Sequence, residues 1–334
     1  MQDISIPVSF LHSVLRYAPA RGISTERLLR RCGIAPRMLQ DSGARVGARR
    51  YADLQTLAMR EMGDEMLGYT PLPMKLGTGA AMAHWMLHSR TLGQALKRYC
   101  HFYSMIERGL RPQLLLEGTH VRLRFATWFG QPHPEPYAYE MIMFGLHRFG
   151  CWLTRQKLPI DTVGLDYPAP EHRSEYRAIF PGAPIQFSRP HCELVFKREQ
   201  LQTPVRQDQA DLEEFLKQPQ RNLLQGYHDL QSWIGKTRSV LRQSLSDMPT
   251  LVEVSAELGL QSKQLRRLLG DEGIGYGELK EQLRRDVAMQ HLADASISIE
   301  DVAYLTGFAE ASTFIRAFRK WTGHTPFAYR KKFY

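Results

Sequence analysis

The chain has little of what most enzyme classes need. Among its 334 residues are four cysteines, Cys32, Cys100, Cys151 and Cys192, none at a CxxC or other zinc spacing. There is no GxSxG, no P-loop and no GxGxxG opening a helix after a strand. His84 and His88 stand at i, i+4, but no acid lies between them and no third ligand is evident. No catalytic residue, metal or cofactor is therefore expected. No run approaches 18 uninterrupted apolar residues, which excludes a transmembrane helix. The first residues, Met1 to Ser5, lack the basic start and apolar core of a signal peptide. A cytoplasmic protein with reduced thiols is the expectation. Acids are also missing where it matters most. From Ala311 to Tyr334 there are six Lys/Arg and no Asp or Glu.

What is present is ordinary in amount and unusual in arrangement. Hydrophobic residues make up 43% and charged residues 23%, as in a folded globular chain, and the net charge is +10. The length suggests two domains. Near the C-terminus one pattern occurs twice: Thr250–Leu260 matches Ser298–Phe308 at a shift of 48 residues. Each copy opens with a hydroxyl residue followed three later by an acid. Thr250 and Glu253 form a capping box, and Ser298 and Asp301 a near-match with the shorter acid. Each copy continues at helical spacing and stops at a glycine, Gly259 or Gly307, where a left-handed backbone can end the helix. Second helices follow over 262–269 and 311–321. Helix, glycine turn and helix, repeated in register, predict two helix-turn-helix units.

In the second helices Leu265 and Leu269, then Phe314 and Phe318, make an i, i+4 apolar stripe. Off the first stripe lie Ser262, Lys263, Gln264, Arg266 and Arg267; off the second lie Glu310, Ala311, Ser312, Thr313, Arg316, Arg319 and Lys320. Arg, Lys, Gln and Ser carry donors that match base edges, and a short Ala admits a thymine methyl. A charged run is usually a solvated face. One-sided charge on a doubled motif favours double-stranded DNA, with Lys331 as a further phosphate contact. Between the copies, Leu279, Leu283 and Val287 predict one amphipathic helix over Glu278–Asp294, roughly 25 Å long. Such a rod would hold two reading helices about one turn of B-DNA apart.

These residues carry a family resemblance. Ile299–Phe308, Ser312–Arg319 and Gly323–Arg330 resemble the DNA-binding domain of AraC/XylS-type transcription regulators. The resemblance implies two helix-turn-helix units joined by a linker helix. It implies DNA contacts from Lys263, Gln264, Arg266 and Arg267, and from Ala311, Ser312 and Arg316. One departure is the small and acidic opening Ala309, Glu310, Ala311, which reduces the base contacts expected there. Gly323 and Pro326 should close one helix and start the last, and Phe308, Phe314 and Phe318 should be core.

Further upstream, residues 8–61 read as three helices. Thr70–Gly79 is a loop, and two helices follow over 79–88 and 92–108. The period then changes to two: Leu114–Leu116 and Val121–Phe125 flank a turn and predict a hairpin. A proline-marked loop at 132–136, a helix over 136–155 and strands near 162–165, 185–188 and 193–197 complete a small mixed or antiparallel sheet. The fold class is thus mainly α, with an α+β N-terminal domain over 1–200, a linker over 201–232 and an all-α DNA-binding domain over 233–334. Gly77–Ala83, Thr91–Tyr99 and Ile179–Phe187 resemble the arabinose-binding-like sensor domain of one subgroup of these regulators. That resemblance implies a small effector, or self-association as a homodimer, and does not imply arabinose. RNA polymerase is the expected further partner of such a regulator.

Aromatic and polar residues that would line an effector pocket are His84, Tyr99, Tyr103, Trp128 and Tyr139, with Phe129 nearby; core packing predicts the same composition. Arg122 and Arg124 fit an acidic effector or a solvated strand face. Residues 1–60 hold ten Lys/Arg against four Asp/Glu, read as solvation. Two alternatives stand beside a ligand-responsive regulator. One is a constitutive DNA-binding protein whose N-terminal domain only dimerises. The other is an enzyme with a DNA-targeting tail, such as a repair methyltransferase. The lone Cys32, with no cysteine partners, argues against the second.

Overall fold

Local signals set most of the helices. Ser24 accepts the Arg27 N–H, Thr91 the Gln94 N–H, Asp208 the Asp211 N–H and Ser232 the Gly235 N–H, each satisfying an orphan donor at a helix start. The computed structural model describes residues 5–128, 135–170, 173–180, 182–225 and 232–333. In chain order the first elements are β1 (Ser5–Pro7), α1 (Val8–Leu15), α2 (Thr25–Arg31), β2 (Arg45–Gly47), α3 (Ala48–Met62), α4 (Thr78–Leu87) and α5 (Leu92–Ile106). Then come β3 (Arg111–Glu117), β4 (His120–Ala126), α6 (Pro136–Thr154), β5 (Thr162–Gly164), α7 (Tyr176–Ile179), β6 (Ile185–Gln186) and β7 (Cys192–Lys197). The rest is helical: α8 (Gln209–Lys217), α9 (Pro219–Gln225), α10 (Trp233–Gln243), α11 (Leu251–Glu257), α12 (Ser262–Asp271), α13 (Tyr276–Leu292), α14 (Ile299–Leu305), α15 (Ala311–Thr322) and α16 (Pro326–Phe333).

These elements pack into two units. One comprises Met1–Ser13, Ser24–Leu54 and Asp229–Tyr334; the other comprises Val14–Ile23 and Gln55–His228. The second unit contains the five-stranded sheet, in the order β3-β4-β7-β5-β6. Its neighbours are antiparallel except β5 and β6, so of the two forms expected, mixed or antiparallel, the sheet is mixed. Val121, Leu123 and Phe125 alternate into the core, as the period-two pattern predicts. On the opposite face Arg122 and Arg124 both pair with Glu193 of β7, and Arg122 also meets Glu117 at 2.6 Å. Both arginines are thus held in an ion-pair network across β3, β4 and β7.

Two stretches differ from the sequence reading. Residues 8–61 were expected to be helical only, yet β1 and β2 form an antiparallel ribbon, Ser5 facing Gly47 and Pro7 facing Arg45. Three-residue strands leave no periodicity to detect. The stretch 201–232, expected as a linker, contains α8 and α9. Leu212 is fully buried there, and Phe215 packs on Trp152 and Phe149 at ring distances of 4.5 and 5.6 Å. Apolar residues at i, i+3 outweigh the Gln and Asp content between them. Phe129, Pro132 and Pro134 lie outside the described residues. Among the described residues, no helix is long and apolar enough to cross a membrane.

The two glycine turns give a matched test. Gly259 and Gly307 have φ of +70° and +73°. Nothing lies within 4 Å of a Cβ built on Gly259, whereas one on Gly307 would strike the Met248 side chain and the Leu245 carbonyl. Gly259→Ala should cost about 1–2 kcal/mol for the left-handed backbone alone. Gly307→Ala should cost a further 1–3 kcal/mol or so for overpacking. Urea unfolding of the two variants checks the difference; equal losses would show that the Gly307 contact relaxes freely.

Candidate nucleic-acid interface

The first helix-turn-helix is built as the sequence predicts. Thr250 Oγ1 accepts the Glu253 N–H at 3.3 Å, and the Glu253 carboxylate accepts the Thr250 N–H at 2.6 Å. These bonds hold the exposed Glu253 carboxyl below its ordinary pKa. Val254 then points into a cluster with Leu265 and Leu269 of α12, Leu279, Leu283 and Val287 of α13, and Leu241 of α10. Past Gly259, the Leu260 N–H returns to the Ser255 carbonyl at 2.8 Å and closes the turn. With Leu265 and Leu269 inward, α12 turns Lys263, Gln264, Arg266 and Arg267 to solvent and leaves Ser262 half-buried at its start.

The second unit repeats this with aromatic packing. Ser298 and Asp301 complete a reciprocal box in spite of the shorter acid. The Phe308 N–H returns to the Ala303 carbonyl at 2.9 Å. Phe314 and Phe318 are fully buried, 5.6 Å apart, and Phe318 continues onto Tyr329 of α16 at 5.3 Å. Phe308 is half-buried against Phe314. Gly323 ends α15 in the left-handed region and α16 begins at Pro326, both as expected. The exposed residues of α15 are Ser312, Thr313, Arg316, Arg319 and Lys320, with Ala311 half-buried.

Several of these polar groups have local partners. Gln264 Oε1 accepts the Gln261 N–H at 3.0 Å, capping α12. Ser312 Oγ donates to Glu310 at 3.1 Å, and Arg316 to Thr313 Oγ1 at 3.4 Å. On α16 the three basic residues differ. Arg330 donates to the Leu292 carbonyl at the end of α13, Lys332 donates to Asp41, and Lys331 is exposed.

The linker helix, expected over 278–294, spans Tyr276–Leu292 and does more than separate the two helix-turn-helix units. Tyr276 Oη and Lys280 Nζ donate to the Pro249 carbonyl at 2.6 and 3.2 Å, fixing the entry to α11. Arg284 donates to the Gly307 carbonyl at 2.7 Å and lays its guanidinium 4.3 Å from the Phe308 ring centre. Sequence reasoning did not single out these three. Their i, i+4 spacing, 276, 280 and 284, was the available signal.

In the other unit the proposed effector residues occupy several settings. Tyr99 and Tyr103 are buried and pack on each other at 4.8 Å, Trp128 lies under the Arg111 guanidinium at 5.4 Å, and Tyr139 is buried near Asp166 and Cys192. His84 is half-buried on α4 and His88 is exposed just past its end. An apolar cavity of about 30 Å³ lies among Leu96, Leu123, Leu146, Leu158 and Phe196, with Gln200 at its edge; none of the five proposed residues lines it. That volume holds a water or two. All four cysteines are free thiols. Burial pushes Cys32 up to about 11 and Cys100 up to about 12, which keeps both as weakly nucleophilic thiols at neutral pH. Among the described residues, no three His, Cys, Asp or Glu side chains stand together as a metal site.

One buried carboxylate of this unit is Glu140, 4% exposed, which accepts from the Tyr176 and Tyr167 hydroxyls. Burial raises its carboxyl to about 6, with the two hydroxyls opposing.

Residues 22–205 match the family described as the arabinose-binding domain of AraC transcription regulators, N-terminal, and residues 254–332 match a helix-turn-helix domain family. The chain is 26% identical to an ornithine utilization regulator of Pseudomonas aeruginosa, over 98% of this chain and 96% of that one. It is 31% identical to the HTH-type transcriptional regulator VqsM of the same organism, over 26% of each chain. Superposed on the crystal structure of the transcriptional regulator CdpR from Pseudomonas aeruginosa, it gives a TM-score of 0.32 at 19% identity, covering 98% of this chain and 99% of that one.

Glu140 yields a pH prediction. Its unfolded value is near 4.5 and its folded value about 6, so the folded state binds the extra proton between them. Stability should therefore fall by about 2 kcal/mol as pH rises through that window, then level off. Glu140→Gln should be flat there and more stable than the wild type at neutral pH. Thermal unfolding across the window checks this; parallel curves for the two proteins would assign the change elsewhere.

Proposed function

Since the chain belongs to the AraC family of transcription regulators, we propose that it grips one side of a promoter duplex with two helices. In this reading α12 and α15 enter successive major-groove segments. Lys263, Arg266 and Arg267 act from the first, Arg316, Arg319 and Lys320 from the second, and Lys331 touches phosphate. Ser262, Gln264, Ala311, Ser312 and Thr313 lie at the same helix openings and complete the contact set. The observation that carries the reading is the repeated construction itself. Two capped helices, each turned by a glycine, bury one stripe of a second helix and leave its basic side exposed. Ser312 and Gln264 are partly used as local hydrogen-bond partners, so the arginines and lysines take the larger share.

The protein acts in the cytoplasm in this proposal, with RNA polymerase as its downstream partner. The unit containing the sheet would control it, through a small effector or by pairing two copies. Tyr99, Tyr103, Trp128, Tyr139 and His84 are the proposed effector-facing residues. The cavity beside Leu96 and Leu158 is too small for a metabolite, so it is not offered as the effector site. The relative named for ornithine utilization makes ornithine the first compound to try.

Arg316→Ala should cost about 1–3 kcal/mol of binding and relax sequence preference at one position, measured on duplexes selected by the wild type. Uniform weakening on all sequences would make it a phosphate contact instead. Lys331→Ala should weaken all duplexes alike and reduce the salt slope by about one; an unchanged slope removes it from the interface. For control by an effector, a thermal-shift series with ornithine and other small metabolites should show concentration-dependent stabilisation. No shift with any of them, together with unchanged DNA affinity, would leave self-association as the role of that unit.

A further inference from the structure

The ribbon of β1 and β2 belongs to the same compact unit as the two helix-turn-helix motifs, and it meets them on two sides. On one side Ser5, 7% exposed, donates its hydroxyl to Asp286 of α13 at 2.7 Å. Arg45 donates to that hydroxyl and to the Ser5 carbonyl, each at 2.8 Å, which fixes the serine in place. On the other side the Arg45 carbonyl accepts the Tyr329 hydroxyl of α16 at 3.2 Å. Asp41, just before β2, accepts from Lys332 Nζ at 2.5 Å, from His324 and from the Gly43 N–H at 2.9 Å. Burial of Asp41 would raise its pKa, but Lys332, His324 and Gly43 outweigh that and hold the carboxyl below its ordinary value. Gly43 lies so close to the end of α15 that a Cβ would stand 3.1 Å from the Thr322 carbonyl.

One two-stranded ribbon, with the turn that leads into β2, therefore bridges α13 and the end of α15. The contacts are buried, charged or sterically close, and buried charge-assisted bonds are costly to leave half-made. A surface arm that only brushed the reader would need none of them.

We infer that the N-terminal ribbon is a third part of the DNA reader, with Asp41 and Ser5 as positioning residues that fix α15 relative to α13 and so set which spacing of DNA segments the chain accepts. This rests on the reading of α12 and α15 as the groove-entering helices. Asp41 and Ser5 touch no base in this scheme. They act through α16 and α13.

The test uses the full chain. Duplexes selected by the wild type from a random pool define the two bound segments, and a series then lengthens or shortens the DNA between them in single base-pair steps. The wild type should favour its selected spacing over the neighbouring ones by about tenfold. Asp41→Asn and Ser5→Ala should flatten that ratio to about twofold and leave binding to the first segment alone unchanged. Should Asp41→Asn fail to fold, as judged by thermal unfolding, Ser5→Ala decides the matter. Variants that keep the wild-type spacing ratio overturn the inference, however much their stability falls. A wild type indifferent to spacing would instead bring down the paired-reader reading on which the inference stands.

Discussion

The DNA-binding half of this chain depends on one guanidinium. Arg284 sits midway along α13 and reaches two groups of the second repeat and one in the segment that leads into the first. It donates to the carbonyl of the Gly307 turn, covers the Phe308 ring and points its Nε at the Met248 sulfur, 3.3 Å away. Desolvation lowers its pKa; as a guanidinium it is a cation in any case. A planar cation can serve a carbonyl and an aromatic face at once, which an ammonium on a flexible stem does less well. Without it the Gly307 carbonyl, which ends a helix, would have lost its partner from the linker helix.

The two helix-turn-helix copies are alike in their hydrogen bonds and unlike in their packing. Both open with a reciprocal box and turn at a left-handed glycine. The first fills its core with leucine and valine, the second with a chain of rings from Phe308 through Phe314 and Phe318 to Tyr329 and Phe333. Its glycine also meets Met248 and Leu245, from the segment that precedes the first copy. The duplication therefore preserves the backbone solution and lets the side chains diverge, as expected when caps are local and cores are not.

This difference also explains what was legible in the sequence. The boxes at Thr250 and Ser298, the glycine turns and the stripes of Leu265 and Phe314 are encoded within a few residues, and they appear where the spacing put them. The hairpin of β3 and β4 was legible for the same reason, because its alternation lies in one short stretch. The β1–β2 ribbon was not, since each strand is three residues long and their pairing joins positions forty residues apart. Lys332 shows the limit most clearly. In sequence it is one of several basic residues in an acid-free tail, and in the structure it is matched by an aspartate near the opposite end of the chain. Charge composition counts such a lysine as available to a polyanion, and only the fold shows its prior engagement.

The distance along the chain between Ser5 and Asp286, 281 residues, has a consequence for synthesis. The ribbon leaves the ribosome well before its partners on α13 and α16. During translation, at about 5–20 residues per second, the early segment waits many seconds for the surface it packs against. Its buried faces stay open for that interval, and the long closure that ends the wait makes this the late step of folding. The first helix-turn-helix, whose leucine cluster is local, is under no such delay. A nascent chain of this protein thus completes one helix-turn-helix before the other, and the two become a matched pair only once α16 has emerged.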